Sequence, residues 1–520
     1  MKHPHYYTKQ LPASLYTAEK TRTLDRLTID GEGVPGFELM SRAGQVAFNV
    51  LQDVWPAAVN IVVYCGAGNN AGDGYIVASL ARRAGLSATV VQVGDPARLK
   101  GDALTAYQQA QADQVIMQPF AEYQLQDSDP AVDVVVDALL GTGLAGNVRG
   151  NYSDAIAQIN QSQLPVLAID IPSGLCSDSG QVLGTAIKAA ATVTFIGVKR
   201  GLLTGRGPHY CGPVYYGALA VPEAVYQQVS MDAQRVTADW VRAKLPPRAR
   251  DAHKGQHGHV LVVGGDLGMG GAAAMAAEAA GRCGAGLVSV ITRPEHVAPI
   301  IARRPECMVL GVQEGDSIQA ALDRASVIVV GPGIGRGRWG AFLLEQVLAS
   351  DLPVVLDADG LNYLAVLAEQ SPHAAERGNW VLTPHPGEAS RLLGCRVEHI
   401  QQNRFEALEK LVQGFGATVL LKGAGTLVQE NAKLPHLVTT GNPGMATGGM
   451  GDVLSGVIGA LIAQGLSLFD AAAAGAWLHG AAADMAVQPQ QQNGKQADQP
   501  NERGLLATDL MLPLHQLVNR

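Results

Sequence analysis

Short, continuous apolar runs alternate with helical patterns along nearly the whole chain. Thr17 is placed to cap a first helix reaching about Ile29, and residues 37–55 read as a second. Residues 61–66 (IVVYCG) then form a compact apolar run ending in glycine. A helical pattern of Ile76, Val77, Leu80, Ala81 and Ala84 follows, and Gly85 stops it as a residue just past a helix end does. Residues 88–93, 132–136, 166–169 and 192–196 are further strand candidates. They are continuous rather than alternating, as parallel strands buried on both faces must be. Strand and helix alternate as in a βαβ series, which predicts a doubly wound, Rossmann-like sheet.

Between about 221 and 258 the periodicity weakens, and the segment PPRARDAHKGQHG (246–258) intervenes. A domain boundary is expected near residue 230, giving domains 1–228 and 229–520. The βαβ rhythm then restarts with strand candidates at 259–263, 287–291, 327–330, 354–356, 380–382 and 418–421. The fold class is therefore two-domain α/β. The tract 488–500, rich in Gln, Asn and Pro, reads as a surface loop.

Composition narrows the function classes. The chain has 520 residues, 47% of them hydrophobic and 16% charged, which describes a folding chain and not a disordered one. The net charge is −8 and no basic stripe occurs, so nucleic acid is not an expected partner. The six cysteines (Cys65, Cys176, Cys211, Cys283, Cys307, Cys395) show no C-x-x-C spacing and read as reduced residues of a reducing compartment. Residues 1–10 hold no apolar signal-peptide core, and 453–469 falls short of a membrane span and reads as a buried helix. The expectation is a cytoplasmic protein without a membrane partner.

Ligands of open parallel sheets bind beyond the C-terminal ends of the strands. Polar residues of the first half gather there. Gly68-Asn69-Asn70-Ala71-Gly72-Asp73-Gly74 follows the 61–66 run, with a carboxylate where an ordinary dinucleotide loop would receive phosphate. Asn69, Asn70 and Asp73 either cap and turn the chain or line a ligand site. Asp137 ends a strand and leads into Gly141-Thr142-Gly143-Leu144-Ala145-Gly146-Asn147, whose glycines leave backbone N–H groups open to phosphate. Asp170 ends the 166–169 run before Ile171-Pro172-Ser173-Gly174, and is either a loop anchor or a general base. The oxygens of Asn70, Asp137 and Ser173 could also converge on a cation.

The combination GNNAGDG, DALLGTGLAGNVRG and DIPSG resembles the NAD(P)H-hydrate epimerase family over most of residues 15–220. The resemblance implies that Asn69, Asn70, Ala71, Gly72 and Asp73, together with Gly141 to Asn147 and Tyr152, bind the dinucleotide. It also implies that Asp170 contacts the hydrated nicotinamide and that Asn70, Asp137 and Ser173 hold potassium.

In the second half, Ala446-Thr447-Gly448-Gly449-Met450-Gly451-Asp452 precedes an apolar helical pattern that stops at Gly465. Glycines at a helix N-terminus bare several N–H groups at the positive end of the dipole, which makes an anion hole for a transferring phosphoryl group. Asp452 in the first turn could accept the proton of an attacking hydroxyl, or simply cap the helix. Lys422, Gly423, Ala424, Gly425 and Thr426 follow a strand and form either a phosphate loop or a plain turn with a surface lysine. A third glycine loop spans 331–337, and His385 stands between two prolines at another strand end, where it is held rigidly enough to meet a ring.

The order GGDLGMGGA, GPGIGRG, LDADGLN, LTPHPGEASRL, LKGAGT and GMATGGMGDVLSG resembles the ADP-dependent NAD(P)H-hydrate dehydratases of the ribokinase-like superfamily, over about residues 250–515. This implies that Ala272, Gly335, His385 and Asp452 contact the hydrate. It also implies that Lys422 to Thr426 and Gly451 hold the nucleotide, with ADP and Mg2+ serving the reaction, and that the chain assembles as a homo-oligomer. The hydrate would be phosphorylated on its hydroxyl and then lose phosphate, a far better leaving group than hydroxide. An epimerase on the same chain would feed both epimers of hydrated NADH and NADPH to a dehydratase that positions only one. Two other readings share these motifs. A small-molecule kinase with an accessory N-terminal domain would release a stable phosphorylated product, and a nucleotide-sensing module would bind without turnover.

Overall fold

The computed structural model describes residues 6–126, 129, 131–488 and 501–519. Beyond Gln488, the tract expected as a surface loop lies outside the described residues. The chain divides into two compact units, Met1–Gln234 and Arg235–Arg520.

The first unit is built on an eight-stranded sheet. Its order is Tyr7–Thr8, Val214–Gly217, Ala191–Phe195, Val166–Ile169, Val134–Ala138, Asn60–Cys65, Ser87–Gln92 and Ile116–Pro119. Every pairing is parallel except that of the edge strand Tyr7–Thr8. The central strands Val134–Ala138 and Val166–Ile169 are buried at every position, which is why their sequences carry no alternation. Thr17 caps the helix Ala18–Arg26, and the second helix spans Gly36–Val54. The two-residue strand Val198–Lys199 pairs in parallel with Leu15 and Tyr16, which brings Lys199 beside the first helix's entry.

The second unit is a nine-strand array in the order Met308–Gly311, Leu287–Thr292, His259–Val263, Val327–Val330, Val354–Leu356, Trp380–Leu382, Thr418–Leu421, Thr426–Gln429 and His436–Val438. The first seven strands are parallel, and the last two return as antiparallel hairpins. Lys422–Thr426 is thus the turn of a hairpin, since Leu421 faces Leu427. The helix Met450–Ala463 is buried without a break from Val453 to Ile462. A Cβ at Gly456 would strike the Ala276 carbonyl, so glycine there sets how closely this helix meets Gly270–Arg282. Among the described residues no helix is long and apolar enough to cross a membrane.

Two candidate active sites

A cavity of about 730 Å3 opens at the strand ends of the first unit. Its lining includes Asn69, Asn70, Asp73, Gly141, Thr142, Gly143, Leu144, Ala145, Tyr152 and Asp170. Ala71, Gly72, Gly146 and Asn147 are not among the lining residues. Ala71 and Gly72 are buried inside the helix Asn69–Arg83, where Met40 and Ala103 leave Gly72 no room for a side chain. That helix begins at Asn69 and no side chain caps it. Asp73 therefore stands more than a turn inside it, not at the phosphate-receiving end where the sequence reading set it, and the bare end lies at Gly68 and Asn69.

Asp170 has a left-handed backbone, φ +66°, a conformation that Asp tolerates better than most residues. Its N–H donates to the Val193 carbonyl at 2.7 Å, and the turn aims the carboxyl away from its strand and into the cavity. The carboxylate pairs there with Lys199, whose side chain is only 1% exposed. Lys199 Nζ also donates to Thr194 Oγ1 at 3.1 Å and to the Phe195 carbonyl at 3.2 Å, so the ammonium is fully engaged. Asp25 and Asp73 face the same space. Burial, then the neighbouring Asp170, raises both carboxyls: Asp25 to about 6, and Asp73 well above the usual carboxylate range. Lys199 acts in the opposite direction on each.

Below the cavity floor Asp137 is fully buried. Burial pushes its carboxyl up to about 6 against three donors. They are Ser173 N at 2.8 Å, Ser173 Oγ at 2.6 Å and Leu139 N at 3.2 Å. Asn70 Nδ2 donates to the Leu140 carbonyl at 3.2 Å, while Asn70 Oδ1 is buried with no hydrogen-bond partner among the described residues.

In the second unit Asp452 is the third residue of Met450–Ala463, a helix that starts from Gly449 at φ +89° with no side-chain cap. A Cβ at Gly449 would collide with Met275, so the left-handed start and the close approach both require glycine. Burial, then Asp357, raises the Asp452 carboxyl to about 7. Lys422 is not a surface lysine. Its Nζ donates to Asp357 Oδ1 at 2.7 Å and lies 3.6 Å from Glu388 Oε2. Burial works against its charge, but the two carboxylates outweigh it and the net shift is upward. Gly451 lies against both groups: a Cβ there would stand 3.3 Å from Asp357 Oδ2 and 3.5 Å from Lys422 Nζ. The buried Arg404 donates from Nη2 to the carbonyls of Leu421 (3.1 Å) and Lys422 (3.2 Å) and so fixes the hairpin turn.

His385 caps its helix: Nδ1 accepts from Gly387 N at 2.9 Å and Glu388 N at 3.3 Å. That fixes the tautomer with the proton on Nε2, and burial lowers its pKa. The other ring nitrogen, Nε2, lies 3.4 Å from Glu388 Oε1, so both sides of the ring face the helix it caps. Ala272 stands in the first turn of the helix Gly270–Arg282 and Gly335 in the loop after Val327–Val330, and the loop leading into that helix interlocks with the Gly335 loop. Gly265 N donates to the Pro332 carbonyl at 3.0 Å and Asp266 N to the Gly333 carbonyl at 2.7 Å. Gly335 itself, at φ +70°, faces Asp266.

Two family models match the chain: YjeF-related protein N-terminus over residues 36–201, and NAD(P)H-hydrate dehydratase over 260–500. The bifunctional NAD(P)H-hydrate repair enzyme Nnr of Coxiella burnetii is 49% identical, covering 97% of this chain and 99% of its own. The Escherichia coli enzyme of the same name is 41% identical, covering 98% and 95%. This chain belongs to the bifunctional NAD(P)H-hydrate repair enzymes. The Leishmania infantum repair enzyme, 40% identical, covers 92% of this chain and 89% of its own. An ADP/ATP-dependent NAD(P)H-hydrate dehydratase structure from Bacillus subtilis is similar at 28% identity and TM-score 0.46, covering 55% of this chain and 98% of that one.

Several groups in this repair enzyme were given no role on the sequence alone, although Asp357 and Glu388 stand inside two of the quoted motifs, LDADGLN and LTPHPGEASRL. Lys199, Asp25, Arg22 and Arg98 line the first cavity, and Asp357, Glu388 and Arg404 surround Lys422. Asp25 had a signal: Thr21, Asp25 and Ile29 recur every four residues and all three line the cavity.

Proposed function

We propose that the first domain, expected at 1–228, interconverts the R and S hydrates of NADH and NADPH. The second, 229–520, dehydrates the S form at the expense of ADP, giving AMP and phosphate. The observation that carries the reading is Asp452. It is a desolvated carboxyl in the first turn of an uncapped, glycine-led helix, in a chain whose relatives of matching length are repair enzymes.

In the second site the hydrate hydroxyl attacks the terminal phosphorus of ADP. Asp452 takes the hydroxyl proton, the new P–O bond forms, and the bond to the AMP oxygen breaks. The N–H groups around Gly448 to Gly451 face the charge that gathers on phosphate. The phosphorylated carbon then loses phosphate with its bonding electrons while the adjacent carbon gives up a proton, restoring the ring double bond. Ala272, Gly335 and the His385 ring would orient the hydrate, and Lys422, Gly423, Ala424, Gly425, Thr426 and Gly451 the nucleotide. Mg2+ needs only one or two carboxylates besides nucleotide phosphates, and Asp357 and Glu388 supply two. When bound, it would neutralise phosphate charge.

In the first site the bare N-terminus at Asn69, the loop 141–147 and Arg98 would receive the dinucleotide phosphates, with Tyr152 beside them and Asp170 at the hydrated ring. Potassium fits Asn70, Asp137 and Ser173. The unpartnered Asn70 Oδ1 needs a donor or a cation, and one carboxylate among neutral oxygens suits a monovalent ion. Bound there, it would compensate the Asp137 charge and hold the 141–147 loop. The free cysteines, three buried and three partly buried, support a cytoplasmic setting. The expected homo-oligomer has an exposed apolar edge, Met308 and Leu310, available to it.

The test is stoichiometry. One AMP and one phosphate should appear for each NADPH restored from the S hydrate. A stable phosphorylated hydrate would instead identify a kinase.

A further inference from the structure

The first cavity holds more acid than the assigned residues explain. Asp25, Asp73, Asp102 and Asp170 line it together with Lys199, Arg22 and Arg98. Lys199 is committed to Asp170 and to the Thr194 and Phe195 oxygens. Neither the Asp25 nor the Asp73 carboxyl has a hydrogen bond or ion pair among the described residues. Arg22, on the same helix as Asp25, is the other cation acting on that carboxyl, and it is solvent-exposed. A dinucleotide adds further negative charge. Two uncompensated carboxylates beside a third, partly desolvated, repel strongly, so the cavity keeps a proton in the Asp25–Asp73 pair. Buried and unpartnered, Asn70 Oδ1 independently marks this cavity as built around a ligand.

We propose that Asp25 is a catalytic acid of the epimerisation, sharing its proton with Asp73, while the Asp170–Lys199 pair remains ionic and faces the ring. This rests on the epimerase reading of the site. The chemistry has two mirrored halves. Asp25 gives its proton to the hydrate hydroxyl, the C–O bond breaks with its electron pair on oxygen, and water departs. The ring nitrogen's lone pair forms the C=N bond of a cationic iminium. Asp170 stabilises that cation, and Lys199 positions Asp170 without touching substrate. Water adds to the opposite face of the same carbon and its proton returns to the carboxylate pair. Nothing is oxidised or reduced, and the water released is the water consumed. Two acids with divided protonation states, one neutral and one ionic, are what such a reversible proton donation needs.

The experiment follows interconversion of separated NADPH-hydrate epimers by chromatography, with the full chain, KCl and no nucleotide, from pH 5 to 9 and with the uncatalysed rate subtracted. Wild-type kcat should fall on the alkaline side as Asp25 loses its proton. Burial and Asp170 raise that group to about 6 in the free protein, against Lys199 and Arg22. Asp25→Asn should lower kcat by about 100-fold or more with little change in KM, and should flatten the limb. Asp25→Glu should recover most of the rate and keep the limb, which a merely structural role would not require. If Asp25→Asn retains the wild-type rate and limb, the proposal is overturned while the site assignment stands. If wild type interconverts nothing at any pH, the epimerase reading fails and this proposal fails with it.

Discussion

Lys422 Nζ stands 2.7 Å from Asp357 Oδ1, so the lysine that the nucleotide would meet is already neutralised by a buried carboxylate. The pair fixes the ammonium's position instead of leaving it free to follow a phosphate. It also sets the field on Asp452, since Asp357 raises that carboxyl and Lys422 lowers it.

The dehydration should therefore show an acid limb. Asp452 acts as a base and must be ionised, and it stands at about 7, so kcat/KM should rise with pH through that value. Asp357→Asn removes the raising charge and frees Lys422 to act on Asp452. Both effects move the limb to lower pH. A pH profile of NADPH recovery from S hydrate checks the direction.

Asp452→Ala should reduce dehydration by about 10^2- to 10^4-fold, the usual worth of a positioned general base. Its thermal unfolding should stay near wild type, since among the described residues the Asp452 side chain makes no hydrogen bond that supports the fold.

Removing one member of a buried ion pair strands the other. Lys199→Met should therefore destabilise the first unit by about 3 kcal/mol, read from urea unfolding. The double variant Lys199→Met with Asp170→Asn should recover much of that loss, because neither member of that pair is then left charged without its partner.

Potassium should raise the unfolding temperature of the first unit relative to sodium at equal ionic strength, because a ligand that binds only the folded state stabilises it. Asp137→Asn should remove the difference between the two salts. An equal response of wild type to both salts would contradict the Asn70, Asp137 and Ser173 assignment.

The parallel core strands were legible because full burial on both faces leaves continuous apolar runs. Val166–Ile169 and Val327–Val330 have the bounds that the sequence suggested. The edge strands Ile116–Pro119 and Met308–Gly311 were not, since their half-exposed residues weaken the pattern. The antiparallel return at Thr426–Gln429 was hidden because the glycine-rich turn before it looks like a phosphate loop. Glycine and Asp positions of the two sites were visible, being punctuation after apolar runs. Their partners were not. Lys199 and Asp357 are far in sequence from Asp170 and Lys422, and only the fold brings each pair together.

The most direct measurement mixes both NADPH-hydrate epimers with the full chain, ADP, Mg2+ and potassium, and follows the return of reduced-nicotinamide absorbance. Wild type should restore all the NADPH, and Asp452→Ala essentially none. Asp170→Ala should restore the S fraction promptly while the R fraction lags at the uncatalysed rate. Full recovery by Asp170→Ala at the wild-type rate, or no recovery by wild type with either ADP or ATP, would contradict the account.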